Sequence, residues 1–288
     1  MPYMHHLTLD RETPFDLGKT LSCGQVFRWK KDDGTWTGVI GEQVVSIRQG
    51  GSRLSWSGTG KDTIVRYFSL DTDLPAILEE IDRDPMIHRA IGQSKGLRIV
   101  RQPPWECLAS YIIATFTNIP SIKRRIGLLC QAFGKEICAG SEPWYSFPDP
   151  GSLKDGGDCL LDTCRLGYRA PFLCETAGRI AADPGWADRV ASSSYEDARS
   201  MLMHYKGAGR KVADCVLLFG FGRLNAVPVD VWIERILRTC YFDNNPTGTM
   251  TYEYMRHFAQ DYFGEYAGYA QEYLFSIREE LDYGKKFR

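Results

Sequence analysis

The segment His204-Tyr205-Lys206-Gly207-Ala208-Gly209-Arg210-Lys211-Val212-Ala213-Asp214-Cys215, with Val227-Pro228-Val229-Asp230 after it, dictates a helix, a tight glycine hairpin and a second helix. Gly207 and Gly209 lie one residue apart and carry no Cβ, so the chain can turn sharply there and approach another backbone within hydrogen-bonding distance. The helix that starts near Arg210 then offers unpaired N–H groups and the positive end of its dipole to an anion. One phosphate of a nucleic-acid backbone fits such a site, and Lys206, Arg210 and Arg223 place positive charge where a polyanion would approach.

Lys211 leaves the first turn of that helix beside Val212, Cys215, Val216 and Phe219, an apolar stripe at helical spacing. Desolvation by such a stripe and the nearby positive helix end both disfavour the protonated amine, which is how an amine becomes a nucleophile. Asp230 follows 230 − 211 = 19 residues later, directly before the helical run Val231-Trp232-Ile233-Glu234-Arg235-Ile236. It is a natural N-cap, and a carboxylate at a helix start can also stabilise positive charge developing nearby.

Composition sets the outer limits. The 288 residues carry 43% apolar and 25% charged residues with a net charge of −1, the profile of an ordered globular chain and not of a globally basic one. A local excess of positive charge or well-aimed N–H groups would still suffice for a nucleic-acid face. No apolar stretch approaches the length of a membrane span, and Met1-Pro2-Tyr3-Met4 lacks the pattern of a secretory signal, so an intracellular protein with no membrane contact is expected. His5-His6 is expected to be solvated surface. The nine cysteines are odd in number and irregularly spaced, with no C-x₂-C pair, which points to reduced thiols and away from a zinc site; no cofactor and no catalytic metal are expected, and a monovalent cation at the hairpin stays open.

Short β-prone runs fill residues 7–56: Val26-Phe27-Arg28-Trp29, Thr35 to Ile40, Val44 to Ile47, and Leu54-Ser55-Trp56, with Asp33-Gly34 and Gly50-Gly51 between them as hairpin turns. This pattern predicts an antiparallel sheet with one covered face. After Lys61 the periodicity is helical. Asp84-Pro85 and Pro104 open helices, Ser121 opens another that stops at Gly134, Pro143 to Gly157 forms a long surface connection, and Ser194-x-x-Asp197 starts the helix that runs into the hairpin. The last helices are predicted over Thr251 to Phe263 and Tyr266 to Arg278.

The hairpin segment with its lysine and following aspartate resembles the helix-hairpin-helix Gly/Pro…Asp motif of base-excision DNA glycosylases in its lysine-bearing form. More narrowly, the chain resembles the 8-oxoguanine DNA glycosylase/lyase family. That match is carried also by Ser22-Cys23-Gly24-Gln25-Val26-Phe27-Arg28-Trp29, Leu129 to Gly134, Leu166 to Ala170, and Tyr266 to Ser276, in order from about residue 7 to 277.

The resemblance implies an α+β fold, with an N-terminal antiparallel sheet domain and its flanking helices over residues 1–100 and the helical helix-hairpin-helix glycosylase domain over 101–288. It also implies a monomer acting on double-stranded DNA that contains oxidised guanine, flipping the damaged base out of the stack because its glycosidic bond is inaccessible there. Lys211 would attack C1′ and form a Schiff base, β-elimination would cut the strand, and Asp230 would stabilise the cationic sugar. The Gly24 carbonyl would accept the N7–H that distinguishes oxidised guanine. Phe275 and Cys215 would sandwich the base, Gln271 would read its Watson–Crick edge, and Phe219 and Pro228 would complete the pocket. Gly207, Gly209, Val212, Asn118, Tyr168, Arg169 and Trp232 would contact the DNA. Taken singly, Phe275 could equally be core, Cys215 a buried thiol and Gly24 a turn residue.

Three positions depart from the family pattern. Phe116-Thr117-Asn118 stands where an Asn-Asn-Asn run is common, Ser121 where an arginine is common, and Trp232 where a histidine often lies near a phosphate. These changes leave the base preferred opposite the lesion open. They also admit a related glycosylase with shifted lesion preference, or a helix-hairpin-helix module that binds DNA without catalysis.

Overall fold

The computed structural model describes residues 5–10, 12, 14–139, 142–242 and 250–281. Met1 to Met4, on which part of the signal-sequence expectation rests, lie outside them. The N-terminal part is an antiparallel five-stranded sheet of β1 (His5–Thr8), β2 (Trp29–Asp32), β3 (Thr35–Ile40), β4 (Gln43–Gly50) and β5 (Arg53–Ser57), in the order β1-β5-β4-β3-β2. Asp33 and Gly34 both take positive φ, 40° and 73°, the two-residue turn whose twist matches the flanking strands. Val26, Phe27 and Arg28, expected within a strand, precede it; only Trp29 joins β2. His5 is exposed, as expected, and stacks on Trp56 at 5.6 Å.

Helices α1 (Leu17–Ser22) and α2 (Lys61–Tyr67) cover the sheet. Leu17, Leu21, Ile64 and Phe68 bury Trp29, Trp36, Ile47 and Trp56 in one apolar cluster. A second and larger cluster holds α3 (Leu74–Ile81), α4 (Pro85–Ser94), α5 (Pro104–Ile113), α6 (Ile119–Phe133), α7 (Pro150–Leu153), α8 (Arg169–Ala181), α9 (Trp186–Ser192), α10 (Tyr195–Met203), α11 (Arg210–Phe219), α12 (Val231–Ile236), α13 (Tyr252–Phe263) and α14 (Ala267–Ser276). Caps fix many of the starts: Asp84 accepts from the N–H groups of Met86 and Ile87, and Ser194 from that of Asp197. α6 begins two residues before Ser121, because Asn118 supplies the cap and accepts from the Ser121 N–H at 3.0 Å. The connection expected from Pro143 onward contains more structure than that, since Glu136–Cys138 (β6) and Pro143–Tyr145 (β7) pair as a ribbon and α7 follows.

The segment after α1 runs between the two cores. Val26 and Trp29 enter the sheet cluster, whereas Cys23 and Phe27 enter the helical one. Gln25 ties the two together: its Nε2 donates to Arg98 O (2.8 Å) and its Oε1 accepts from Val100 N (2.7 Å). The Gln102 amide donates to Gln25 O at 2.7 Å. Gly24 is thereby pinned where the sheet domain meets α14.

Candidate active site

The hairpin between α10 and α11 forms as the glycines require. Gly207 takes φ +81°, and a Cβ there would lie 3.0 Å from Ile112 Cγ2 and 3.2 Å from Phe172 Cβ, so both backbone angle and packing exclude a side chain. Gly209 is the exposed cap of α11, and a Cβ there would meet nothing within 4 Å. The first N–H of α11 with a helical partner is that of Ala213, bonded to Gly209 O at 2.9 Å. The preceding N–H groups, including that of Val212, therefore face outward, while the Val212 side chain is buried. Lys206 and Arg210 are exposed beside them, Arg210 within 3.4 Å of Glu253. Arg223 does not join this patch, because its guanidinium donates to Ala191 O and Ser193 O, both at 2.7 Å.

From the first turn of α11, Lys211 reaches a small cleft that is open to solvent. Its Nζ sits 5.2 Å from the ring centroid of Tyr111, which stacks on Phe219 at 5.7 Å with the planes 9° apart. No carboxylate lies within ion-pair distance of this amine among the described residues. Asp230 lines the same cleft from the start of α12. Its Oδ1 alone accepts both cap bonds, from Trp232 N (3.0 Å) and Ile233 N (2.9 Å), which leaves Oδ2 for the cleft.

Gly24, Cys215, Pro228, Gln271 and Phe275 complete the walls with Phe219. Gly24 takes φ +109°, and a Cβ on it would press on Ile119 Cδ1 at 3.1 Å. Burial pushes the Cys215 thiol up to about 12, so it presents a neutral sulfur. Gln271 is buried with its Oε1 unpartnered, and Phe275 is half-buried with the Arg278 guanidinium 4.0 Å from its ring centroid. α14 is held against the strand-like segment before Asp230 by the Gly268 N–H, which donates to Leu224 O at 2.7 Å. The arrangement sets an amine and a free carboxylate oxygen beside a slot with an aromatic ring, a thiol and an amide acceptor. Such a slot suits a planar polar ring.

Outside the cleft, Phe116 is 97% exposed at φ +48°, an apolar ring held out into solvent. Tyr168 is half exposed beside it, with its OH 3.4 Å from Thr115 Oγ1. Arg169 does not reach the surface as expected of a DNA contact: it is buried and donates to the carbonyls of Thr115 and Phe116, bracing the loop that carries Phe116. Asn118 is exposed but spends its Oδ1 on the cap of α6. Trp232 is half-buried, with the Arg235 guanidinium 5.1 Å from its ring centroid.

Three features of the site escape sequence inspection. Tyr111 seats the Lys211 amine from a helix that reads as plain core, and Glu272 lines the cleft from the position after Gln271. Asp214, fully buried, accepts from Tyr195 (2.7 Å), Arg199 (3.0 Å) and Tyr252 (2.6 Å). The Tyr252 hydroxyl in turn accepts from Val229 N at 3.3 Å, so this cluster holds the residue before Asp230 to α11. Its only trace in the sequence is an acid interrupting the apolar run of α11. Asp214→Ala would leave two hydroxyls without their acceptor and Arg199 with Glu253 (2.8 Å) as its remaining carboxylate, and is expected to cost about 3 kcal/mol in urea unfolding.

Residues 7–108 match the family described as 8-oxoguanine DNA glycosylase, N-terminal domain. The chain is 33% identical over 238 residues to a probable N-glycosylase/DNA lyase of Methanothermobacter thermautotrophicus, covering 76% of this chain and 74% of that one. It is 31% identical over 311 residues to the N-glycosylase/DNA lyase of Saccharomyces cerevisiae, covering 90% and 82%. Its fold superposes with a TM-score of 0.87 on the Clostridium acetobutylicum 8-oxoguanine glycosylase/lyase in complex with double-stranded DNA, at 28% identity over 97% of this chain and 99% of that one.

Proposed function

Since this chain belongs to the 8-oxoguanine DNA glycosylase family, we propose that it excises 8-oxoguanine from duplex DNA and cuts the strand at the resulting abasic site, as an intracellular enzyme of base excision repair. The observation that carries this reading is the convergence on one cleft of Lys211, Asp230, Gly24, Cys215, Gln271 and Phe275, drawn from four separate stretches of the chain. A DNA-binding module without catalysis would need the hairpin but neither the amine nor the pocket.

In this reading the outward N–H groups at the start of α11, with Gly207 and Gly209 behind them, take one DNA phosphate, and the flipped base enters the slot. Phe275 and Cys215 lie against its two faces, and Gln271 meets its Watson–Crick edge. The Gly24 carbonyl accepts N7–H of the oxidised base, whereas unmodified guanine would set an acceptor against an acceptor. Lys211 Nζ forms the bond to C1′ as the bond to the base breaks, and the Asp230 Oδ2 opposes the positive charge that gathers on the sugar. Loss of water from the N–C1′ adduct is not needed: ring opening gives the Schiff base, and β-elimination then releases the 3′ side of the strand.

Purified protein is expected to release 8-oxoguanine from duplex DNA and to be trapped covalently on it by borohydride. Removal of oxidised pyrimidines in preference to 8-oxoguanine would assign a different lesion, and equal affinity for intact and damaged duplex without trapping would leave only a binding module. Phe116 is placed to stack in the duplex where the flipped base has left. Phe116→Ala is expected to weaken binding to lesion DNA roughly tenfold in a fluorescence titration, the worth of about one base-stacking contact.

A further inference from the structure

One group in the cleft has no task in the reaction above. Glu272, on α14, is 5% exposed, and its Oε2 has no hydrogen-bond partner. A buried carboxyl oxygen with no partner is costly, and its retention calls for an explanation. The groups facing it come from every side of the cleft. The Cys23 thiol, also 3.4 Å from Thr20 O, lies within its hydrogen-bonding reach; Lys211 and Arg278 favour its charged form and Asp230 opposes it. Tyr111 and Cys215 enclose it as neutral walls. Burial, the largest influence, raises its carboxyl to about 7, so it exchanges a proton near neutrality.

Lys211 has the complementary need. To attack carbon its ammonium must first lose a proton, and the carboxylates lining its cleft are Asp230, whose free Oδ2 is given to the charge on the sugar in the reaction above, and Glu272. We propose that Glu272 is the proton acceptor for Lys211, taking one proton from the Nζ ammonium through a bridging water, since both residues line the cleft but lie farther apart than an ion pair. The carboxylate becomes a carboxylic acid and the ammonium a neutral amine. The amine lone pair then forms the N–C1′ bond while the base departs with the glycosidic electron pair.

This inference rests on the glycosylase/lyase reading, and the test separates the two. Single-turnover excision and borohydride trapping are followed from about pH 5.5 to about pH 9 for the wild type, Glu272→Gln and Glu272→Ala, the last with and without added formate. For the wild type, both rates are expected to fall as pH drops through about 7, where Glu272 becomes protonated and can no longer accept. Glu272→Gln is expected to lose about 10²-fold at neutral pH and to recover with rising alkalinity, with unchanged affinity for duplex containing a non-reactive abasic analogue. Formate is expected to restore Glu272→Ala in proportion to its concentration. A Glu272→Gln profile that superimposes on the wild type, or an equal loss at every pH with no rescue by formate, overturns the proposal. Should both variants fail to fold, a wild-type profile that is flat around neutrality overturns it as well. Absence of any trapped wild-type complex strikes the glycosylase/lyase reading itself, whereas full wild-type trapping with an indifferent Glu272 removes only the proton acceptor.

Discussion

Lys211→Gln is expected to abolish the borohydride-trapped complex with lesion DNA and to slow base removal by on the order of 10³-fold or more, while leaving the fold and duplex binding in place. The amide is one bond shorter than the amine and enters the same opening above the Tyr111 ring without a clash, so the stacked Tyr111–Phe219 pair behind it keeps its packing. What is lost is the lone pair that attacks C1′ and the nitrogen that a Schiff base requires. The loss of attraction between cation and ring is worth about 1 kcal/mol and is too small to account for such a fall. Trapping and excision are measured on the same duplex, with affinity followed separately. A variant that is still trapped at the wild-type level would remove Lys211 from the chemistry.

Asp230→Asn is expected to reduce excision about 10²–10³-fold with a melting temperature close to the wild type's. Asparagine caps helices as well as aspartate does, and its Oδ1 can keep both bonds to Trp232 N and Ile233 N. The substitution therefore replaces only the oxygen left for the cleft, turning a negative group opposite the sugar into a neutral amide. Asp230→Ala adds loss of the cap, about 1 kcal/mol of stability, to the same loss of rate. Thermal unfolding set beside single-turnover rates tells the two effects apart: if Asp230→Asn excises at the wild-type rate and only Asp230→Ala is impaired, Asp230 is a cap and nothing more.

Local rules carry a long way in this chain because several of its decisive features are local. The glycine hairpin, the Asp230 cap, the turn at Asp33-Gly34 and the helix starts at Pro85, Pro104 and Tyr195 all follow from residues within four positions of each other. Features set by distant neighbours are not legible in the same way. Val26 and Phe27 have the composition of a strand, but each is claimed by a different core, and the segment is drawn out between them. Arg169 and Arg223 look like cations available to DNA, yet carbonyls on other loops consume their N–H groups. Glu272 reads as one more polar residue near the C-terminal helix until α11, α12 and the segment around Gly24 close over it. Family likeness supplies Gln271 and Phe275, which periodicity alone would assign to core.

The pinning of Gly24 between two cores, and of α14 against the segment before Asp230, has a consequence for biosynthesis. Lys211 leaves the ribosome 271 − 211 = 60 residues ahead of Gln271, so on the proposed reading the attacking amine exists for several seconds of translation without the wall that would select its target. The nascent enzyme is in this sense safe by order of assembly: it cannot grip an undamaged base in its slot until the selecting helix has docked.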